Sequence, residues 1–356
     1  MRLWSVVLVL LPVACVVPTT RVPCQSNANC PSATWCNADC LCTPLADGET
    51  SRASTCGIPA DSGSADAGSA DAGTGIRFEA FLKPVPPRMG DAASPVALSA
   101  DGSVLVLGAN GRSSERGLAA AGQVLVWRRA GGVWRLSQVL EAITPTAGER
   151  LGYQVALSAD GTTLLAIAWN ASNPGGFFGA VDFFSRQPDG QYSHAFRYTT
   201  TAARPPLSPM LGATAFRSLA VSETGDTVAL GDVDDCSPGE GVLAAPAGST
   251  SASCVRSGGV SLLVRSGPIW RLQAFVKPQP GTPTNARFGE SVALSGDGNL
   301  LAVGAPNAPR ADRSGSVSLF FRNGTAWNVG AVLPNEDRGS DFGEAVAMST
   351  NGQALA

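Results

Sequence analysis

Phe288-Gly289-Glu290-Ser291-Val292-Ala293-Leu294-Ser295-Gly296-Asp297-Gly298-Asn299-Leu300-Leu301-Ala302-Val303-Gly304-Ala305-Pro306 is the stretch whose reading decides the fold. A short apolar run, Val292-Ala293-Leu294-Ser295, meets a second, Leu300–Val303, across Asp297-Gly298. Asp-Gly between apolar runs signals a β-hairpin, because Gly accepts positive φ without a Cβ clash. The second run is apolar at successive positions, as expected of a strand buried on both faces.

The same pattern recurs along the chain. First strands read Val96-Ala97-Leu98-Ser99, Val155-Ala156-Leu157-Ser158, Leu219-Ala220-Val221-Ser222 and Val346-Ala347-Met348-Ser349, and with Ala293 their central alanines lie 59, 64, 73 and 54 positions apart. The matching turns are Asp101-Gly102, Asp160-Gly161, Thr224-Gly225 and Asn351-Gly352, and the matching second strands are Val104–Leu107, Leu164–Ile167 and Val228–Leu230. A third strand opens on Gly122, Gly179, Gly259 or Gly315, and a fourth on Trp134, Tyr192, Trp270 or Trp327. Self-similarity at this period points to a repeat architecture. Four antiparallel strands per unit, stacked in series, predict an all-β chain with the blades of a β-propeller. No helix period appears.

Phe288-Gly289, then Ala302-Val303-Gly304-Ala305-Pro306, then Gly315-Ser316-Val317 resemble the FG-GAP repeat of integrin alpha-subunit propellers and their bacterial relatives. Phe342-Gly343 begins another copy; Leu151-Gly152, Gly108-Ala109-Asn110, Phe216 and Gly231 mark degenerate ones. The resemblance covers roughly residues 76–356 and implies seven blades. About four complete units are present, Phe78–Pro84 reads as an isolated fourth strand, and the chain reaches Ala356 midway through a second strand. The favoured expectation is a propeller incomplete at its C-terminus. The alternative is a five-bladed ring whose last blade combines both chain ends.

The first residues carry an address. Met1-Arg2 precede an apolar run, Leu3–Val13, too short to span a membrane. Residues 1–14 read as a signal peptide, and Leu11-Pro12-Val13-Ala14-Cys15 resembles a bacterial lipobox. That resemblance implies acylation of Cys15, with membrane lipid as a partner, at the bacterial cell envelope. The outer membrane or cell surface is favoured over the inner membrane. Ordinary signal-peptidase cleavage is the alternative. Two or more acyl chains on one residue make a stable anchor. Lys occurs only at 83 and 277 against 23 Arg, a skew that fits a G+C-rich bacterial genome.

Nine cysteines divide into Cys15, six at Cys24, Cys30, Cys36, Cys40, Cys42 and Cys56, and the later Cys236 and Cys254. In an exported chain these read as three disulfides and one. Spacing alone leaves fifteen pairings open for the six. Their pattern resembles an EGF-type module, which would imply Cys24–Cys36, Cys30–Cys40 and Cys42–Cys56. Residues 15–56 are thus an anchor and Cys-rich module, and 57–75, with Ser-Ala-Asp-Ala-Gly twice, a flexible linker. The propeller is expected over 76–356.

Composition excludes several classes. The net charge of −3 offers no basic field for nucleic acid. A single His makes His-based metal sites and Ser–His or Cys–His catalysis improbable. Integrin-type blades bind Ca²⁺ through Asp-rich loops, but here each turn carries at most one carboxylate (Asp101, Asp160, Asp226, Asp297), short of the six to eight oxygens calcium takes. No cofactor is expected. A weak metal candidate is Asp232, Asp234 and Asp235, opening the long loop 231–259; the plain reading is a solvated loop braced by Cys236–Cys254. His194 falls in an apolar slot of its strand and reads as a buried structural residue, and the Trp and Tyr openers read as blade packing. The loops joining strands two to three and four to one share one face. Arg112, Arg116, Arg310 and Arg313 recur on it, and the integrin resemblance suggests that face for ligands. The functional expectation is a non-catalytic propeller for adhesion or for binding protein or glycan, with no catalytic residues. The alternatives are a hydrolase or lyase using acids in the central channel, or a structural fragment.

Overall fold

The computed structural model describes residues 22–23, 34–36, 41–44, 82, 95–173, 176–177, 179–199, 216–246, 257–281, 284–308, 314–335 and 340–356. The chain divides into two units, Met1–Glu79 and Ala80–Ala356. In the first, β1 (Val22–Pro23), β2 (Thr34–Cys36) and β3 (Leu41–Pro44) form an antiparallel sheet in the order β1-β3-β2, which sets Cys36 opposite Cys42. The expected signal peptide, Cys15, Cys24, Cys30, Cys40, Cys56 and the linker lie outside the described residues.

The second unit is a series of four antiparallel blades. Blade one holds β4 (Val96–Leu98), β5 (Val104–Ala109), β6 (Gln123–Ala130) and β7 (Val133–Leu140). Blade two holds β8 (Leu151–Leu157), β9 (Thr163–Ala168), β12 (Ala180–Arg186) and β13 (Tyr192–Tyr198), with a small hairpin, β10 (Ser172–Asn173) and β11 (Gly176–Phe177), in its loop. Blade three holds β14 (Ser218–Val221), β15 (Thr227–Asp232), β17 (Gly259–Ser266) and β18 (Ile269–Lys277), plus a fifth strand, β16 (Gly241–Leu243), on the outer edge of β18. Blade four holds β19 (Ser291–Leu294), β20 (Leu300–Ala305), β21 (Ser316–Asn323) and β22 (Ala326–Pro334). Residues 342–356 add the inner hairpin of a fifth, bridged at Met348 and Leu355. No helix occurs among the described residues.

The hairpins form for one local reason repeated five times. The hydroxyls of Ser99, Ser158, Ser222, Ser295 and Ser349 each accept the backbone N–H five residues on, at 2.9–3.1 Å. The turn glycines Gly102, Gly161, Gly225, Gly298 and Gly352 all sit at φ of 66° to 69°. At Ser99, Ser158 and Ser295 the same hydroxyl donates to the turn aspartate at 2.6 Å. In blade three the acid is displaced two positions, to Asp226, and pairs with Arg265 at 2.8 Å.

Every second strand is buried on both faces, and the alternation of its side chains explains the continuous apolar runs. Val104 and Val106 of β5 pack with Leu151, Leu164 and Phe184 of blade two. Leu165 and Ile167 of β9 pack with Phe216, Val228 and Trp270 of blade three. Ala229 of β15 packs with Phe288, Leu301 and Trp327 of blade four. Tyr192, Trp270 and Trp327 therefore fill interblade cores, each contributing roughly 1.5–3 kcal/mol by the burial of a large apolar side chain. Each pairing of strands three and four carries one register shift at a corresponding place: Val126/Trp127, Phe183/Phe184, Leu262/Leu263 and Ser318/Phe320. Such a bulge sharpens the twist of a blade's outer half.

The blades touch backbone to backbone at paired glycines. A Cβ on Gly108, Gly231 or Gly304 would lie 2.0, 2.1 or 1.9 Å from the carbonyl oxygen of Gly152, Gly289 or Gly343 in the next blade. Between blades two and three this pair is missing from both sides. Ile167 stands where Gly304 stands, and the following blade is one residue shorter, passing from Phe216 through Arg217 to Ser218. The larger residue and the deletion occur together at that junction.

Candidate functional site

The first strands gather around one axis. At the hairpin end, backbone hydrogen bonds run from blade to blade: Ala100 N–H to the Ala159 carbonyl at 2.8 Å, Glu223 to Gly296 at 2.9 Å, and Gly296 to Thr350 at 2.7 Å. Leu98, Leu157, Val221, Leu294 and Met348, one from each hairpin, line a shared cavity of about 290 Å³ there. Backbone polar groups share this mouth with those apolar side chains, and Glu223 is the one ionisable side chain lining it.

The opposite mouth is charged. A second cavity, about 250 Å³, is lined by Gln154, Arg217, Ser218, Glu290, Ser291 and Glu344, with an apolar wall from Leu219, Val292 and Val346. The residues come from the entries to four successive first strands, so folding gathers positions 64 and 73 apart in sequence. Arg217 Nε donates to Glu290 Oε1 at 3.1 Å, and its NH1 donates to the Tyr153 hydroxyl at 2.7 Å. Arg287 reaches the same Glu290 oxygen at 2.8 Å. Burial works against the Arg217 charge, but the Glu290 carboxylate and the Tyr153 phenol outweigh it and hold its pKa above the ordinary value. The Glu290 side chain is 7% exposed, and its second oxygen, Oε2, has no hydrogen-bond partner. Tyr153 stacks on Trp169 with centroids 4.6 Å apart, and Arg150 lies over the Trp169 ring at 5.4 Å. Arg150, Arg287 and Asp341, each just before a Phe-Gly or Leu-Gly pair, hold positive φ of 60°, 55° and 52°. Residues held in sparsely populated backbone regions gather where the surroundings over-determine them.

Several expected positions take other roles. Arg112 is buried, and its backbone turns the strand two-to-three loop of blade one through Ala109 and Gly122. It therefore does not present a side chain on an open ligand face, whereas Arg116 is exposed there. Arg310 and Arg313 lie outside the described residues. Asp232, Asp234 and Asp235 are buried, not solvated. Lys277, fully buried, donates to Asp235 Oδ1 at 2.8 Å and to Ser257 at 2.9 Å. The ammonium thus pairs with one of the three aspartates, and among the described residues no group of three or more His, Cys, Asp or Glu is placed to hold a metal ion. Lys277, at the end of a fourth strand, carried no signal in the repeat pattern. Cys236 is disulfide-bonded; Cys254 lies outside the described residues.

His194 does not sit in a purely apolar slot. Its Nε2 lies 2.8 Å from Oδ1 of Asp182, which is fully buried. Arg197 stands 3.3 Å from the other Asp182 oxygen and also pairs with the buried Glu149. A buried carboxylate on β12 needs partners, and β13 supplies two of them. Phe184 meets the imidazole edge-on at 5.6 Å. The carboxylates of the turns are engaged locally: hydrogen bonds from Ser99 and Ser103 bring Asp101 down to about 2, and Asp297 is lowered by the same kind of contacts from Ser295 and Asn299.

Residues 271–320 match the family model of the FG-GAP repeat. The chain carries an FG-GAP repeat on a β-propeller. The match runs from within β18 of blade three to Phe320 within β21 of blade four and takes in Gly289 and Gly304. Among solved structures, the periplasmic gluconolactonase of Pseudomonas aeruginosa is similar at 16% identity, with a TM-score of 0.48 over 74% of this chain and 64% of that one. This chain thus spans less than two thirds of that protein's length. No characterised protein matches the sequence.

Proposed function

We propose that this protein is an exported, lipid-anchored protein of the bacterial envelope that displays a non-catalytic FG-GAP propeller for adhesion, binding protein or glycan. The observation that carries the binding half is the state of Glu290. The most enclosed carboxylate at the charged mouth is held by two guanidinium groups, Arg217 and Arg287. A carboxylate held between two guanidinium groups is fixed in place and well suited to a rigid recognition surface. The propeller scaffold brings loops from successive blades onto the same face, which is where binding residues concentrate on rigid folds. The anchoring half rests on the Leu3–Cys15 segment and the cysteine count.

Two measurements test the reading. Mass spectrometry of the protein purified from envelopes is expected to find a mature N-terminus at an acylated Cys15; an unmodified terminus elsewhere ends the lipid anchor. The purified protein is then assayed for saturable binding to immobilised envelope polysaccharide and protein, beside ester, lactone and glycoside substrates. Binding without turnover is expected. Turnover that disappears in Glu290→Gln would overturn the non-catalytic role.

A further inference from the structure

Resting on the export proposed above, we infer that Cys36 and Cys42 form a disulfide with each other, between the facing strands β2 and β3, in place of the Cys24–Cys36 and Cys42–Cys56 links that the EGF-type resemblance implies. The register carries this. β2 and β3 run antiparallel, with Thr34 opposite Pro44, Trp35 opposite Thr43 and Cys36 opposite Cys42. On its other side β3 meets β1, with Val22 opposite Cys42 and Pro23 opposite Leu41. Facing residues of an antiparallel pair alternate between two kinds. Hydrogen-bonded pairs exchange both N–H···O bonds, with Cα atoms about 5.5 Å apart; non-hydrogen-bonded pairs lie nearer, at about 4.5 Å, with their side chains closer.

Two prolines decide which kind the cysteines are. Pro44 has no N–H, so it cannot exchange both bonds with Thr34, and that pair is of the non-hydrogen-bonded kind. Two residues along, Cys36 and Cys42 are of the same kind. Pro23 gives the same answer from the opposite edge. It cannot exchange both bonds with Leu41, so Leu41 turns its backbone groups toward β2, and Cys42, the next residue, turns its own toward β1. A disulfide needs Cα atoms about 4.4–6.8 Å apart and Cβ atoms about 3.5–4.5 Å apart, and the non-hydrogen-bonded site is the one in a sheet where Cβ atoms approach that closely. Only residues 37–41 separate the two cysteines, and the strand pairing has already brought them together, so the bond adds little loop-closure cost. Its formation removes two electrons and two protons. The oxidant is a dithiol–disulfide oxidoreductase of the exporting compartment. One cysteine thiolate attacks its disulfide, giving a mixed disulfide and one released thiol. The second then attacks the first cysteine's sulfur, closing Cys36–Cys42 and releasing the oxidoreductase as a dithiol that carries the two protons.

The test is peptide mapping of the full chain purified from a bacterial host, with free thiols blocked before digestion at mildly acidic pH. Cleavage before Asp39 and after Trp35, Leu41 and Leu45 releases Cys36-Asn37-Ala38 and Cys42-Thr43-Pro44-Leu45 as separate peptides. Mass spectrometry is expected to find these two joined, and to find them apart after reduction. Either peptide joined to any other cysteine, Cys24 or Cys56 among them, overturns the pairing while export stands. Recovery of Cys24, Cys30, Cys36, Cys40, Cys42 and Cys56 all as blocked free thiols overturns the pairing and export together. Variants ask the same question by counting thiols. Cys36→Ser is expected to add one blocked thiol over wild type, at Cys42, and Cys36→Ser with Cys42→Ser to add none. Two added thiols in the double variant, at Cys24 and Cys56, overturn the pairing.

Discussion

Replacing Gly231 with Ala isolates the backbone contact that holds neighbouring blades together. The added Cβ would sit 2.1 Å from the Gly289 carbonyl oxygen and 2.4 Å from Ser218 Oγ. Ordinary contact begins near about 3.5 Å, so blades three and four must part locally by roughly 1.4 Å. Overpacking of this kind costs about 1–3 kcal/mol, and the upper end applies because the obstacle is main chain rather than a movable side chain. At roughly 2–4 °C per kcal/mol for a domain of this size, the expected drop in melting temperature is about 6–12 °C. Scanning calorimetry of the full chain measures it. Gly324→Asn is the control: that glycine has positive φ but open space around it, and Asn tolerates the left-handed region, so its melting is expected to stay within about 1 kcal/mol of wild type. Adding Ser218→Ala to Gly231→Ala is expected not to rescue, since the 2.1 Å backbone contact remains. Wild-type melting of Gly231→Ala, or full rescue by Ser218→Ala, would refute the glycine-pair account.

Three further outcomes follow from named contacts. Lys277→Ala strands the buried Asp235 and is expected to destabilise the fold by about 3–5 kcal/mol in urea titration, whereas Lys277→Ala with Asp235→Ala recovers part of that loss. The Asp101 carboxyl is lowered to about 2, chiefly by Ser99, so its contribution to stability is complete above the unfolded value of 3.8 and disappears as pH falls through about 2; carbon-detected NMR titration of Asp101 reads this directly. Burial raises the Tyr192 phenol to about 12, so its stabilisation is complete below 10 and lost as pH rises through about 12; spectrophotometric titration of Tyr192→Phe should lack that late step, and loss of the bond to the Gly161 carbonyl should cost about 1 kcal/mol.

Much of the blade architecture was legible before folding because it is local. Ser-x-Asp-Gly turns close on themselves within five residues, and the strands after them are apolar on both faces because each lies between two neighbours. The strand limits differ from the sequence pattern chiefly at their ends: in blades one and four the second strand runs on into Gly-Ala, and in blade three the positive-φ glycine before the third strand is Gly258 (φ 84°), not Gly259. The polar composition of the long loop 231–259 predicts a solvated loop, yet Asp232–Ser237 is buried and Gly241–Leu243 becomes an outer strand. Nothing in its composition announces the partner, Lys277, more than forty residues away. His194 departs from the repeat for a related reason: its slot is apolar in the other blades, and Asp182 on the adjacent strand makes it polar in this one.

Taken alone, the order of residues determined that the chain builds repeated four-stranded sheets, since hairpin chemistry and period-two burial act over a few residues. Only the tertiary structure decided which charges meet. Tyr153, Arg217 and Glu290 belong to three different blades and become neighbours because those blades share an axis. A buried charge must find its counterion wherever the closed fold puts one, and that distance in space is not written in the distance along the chain.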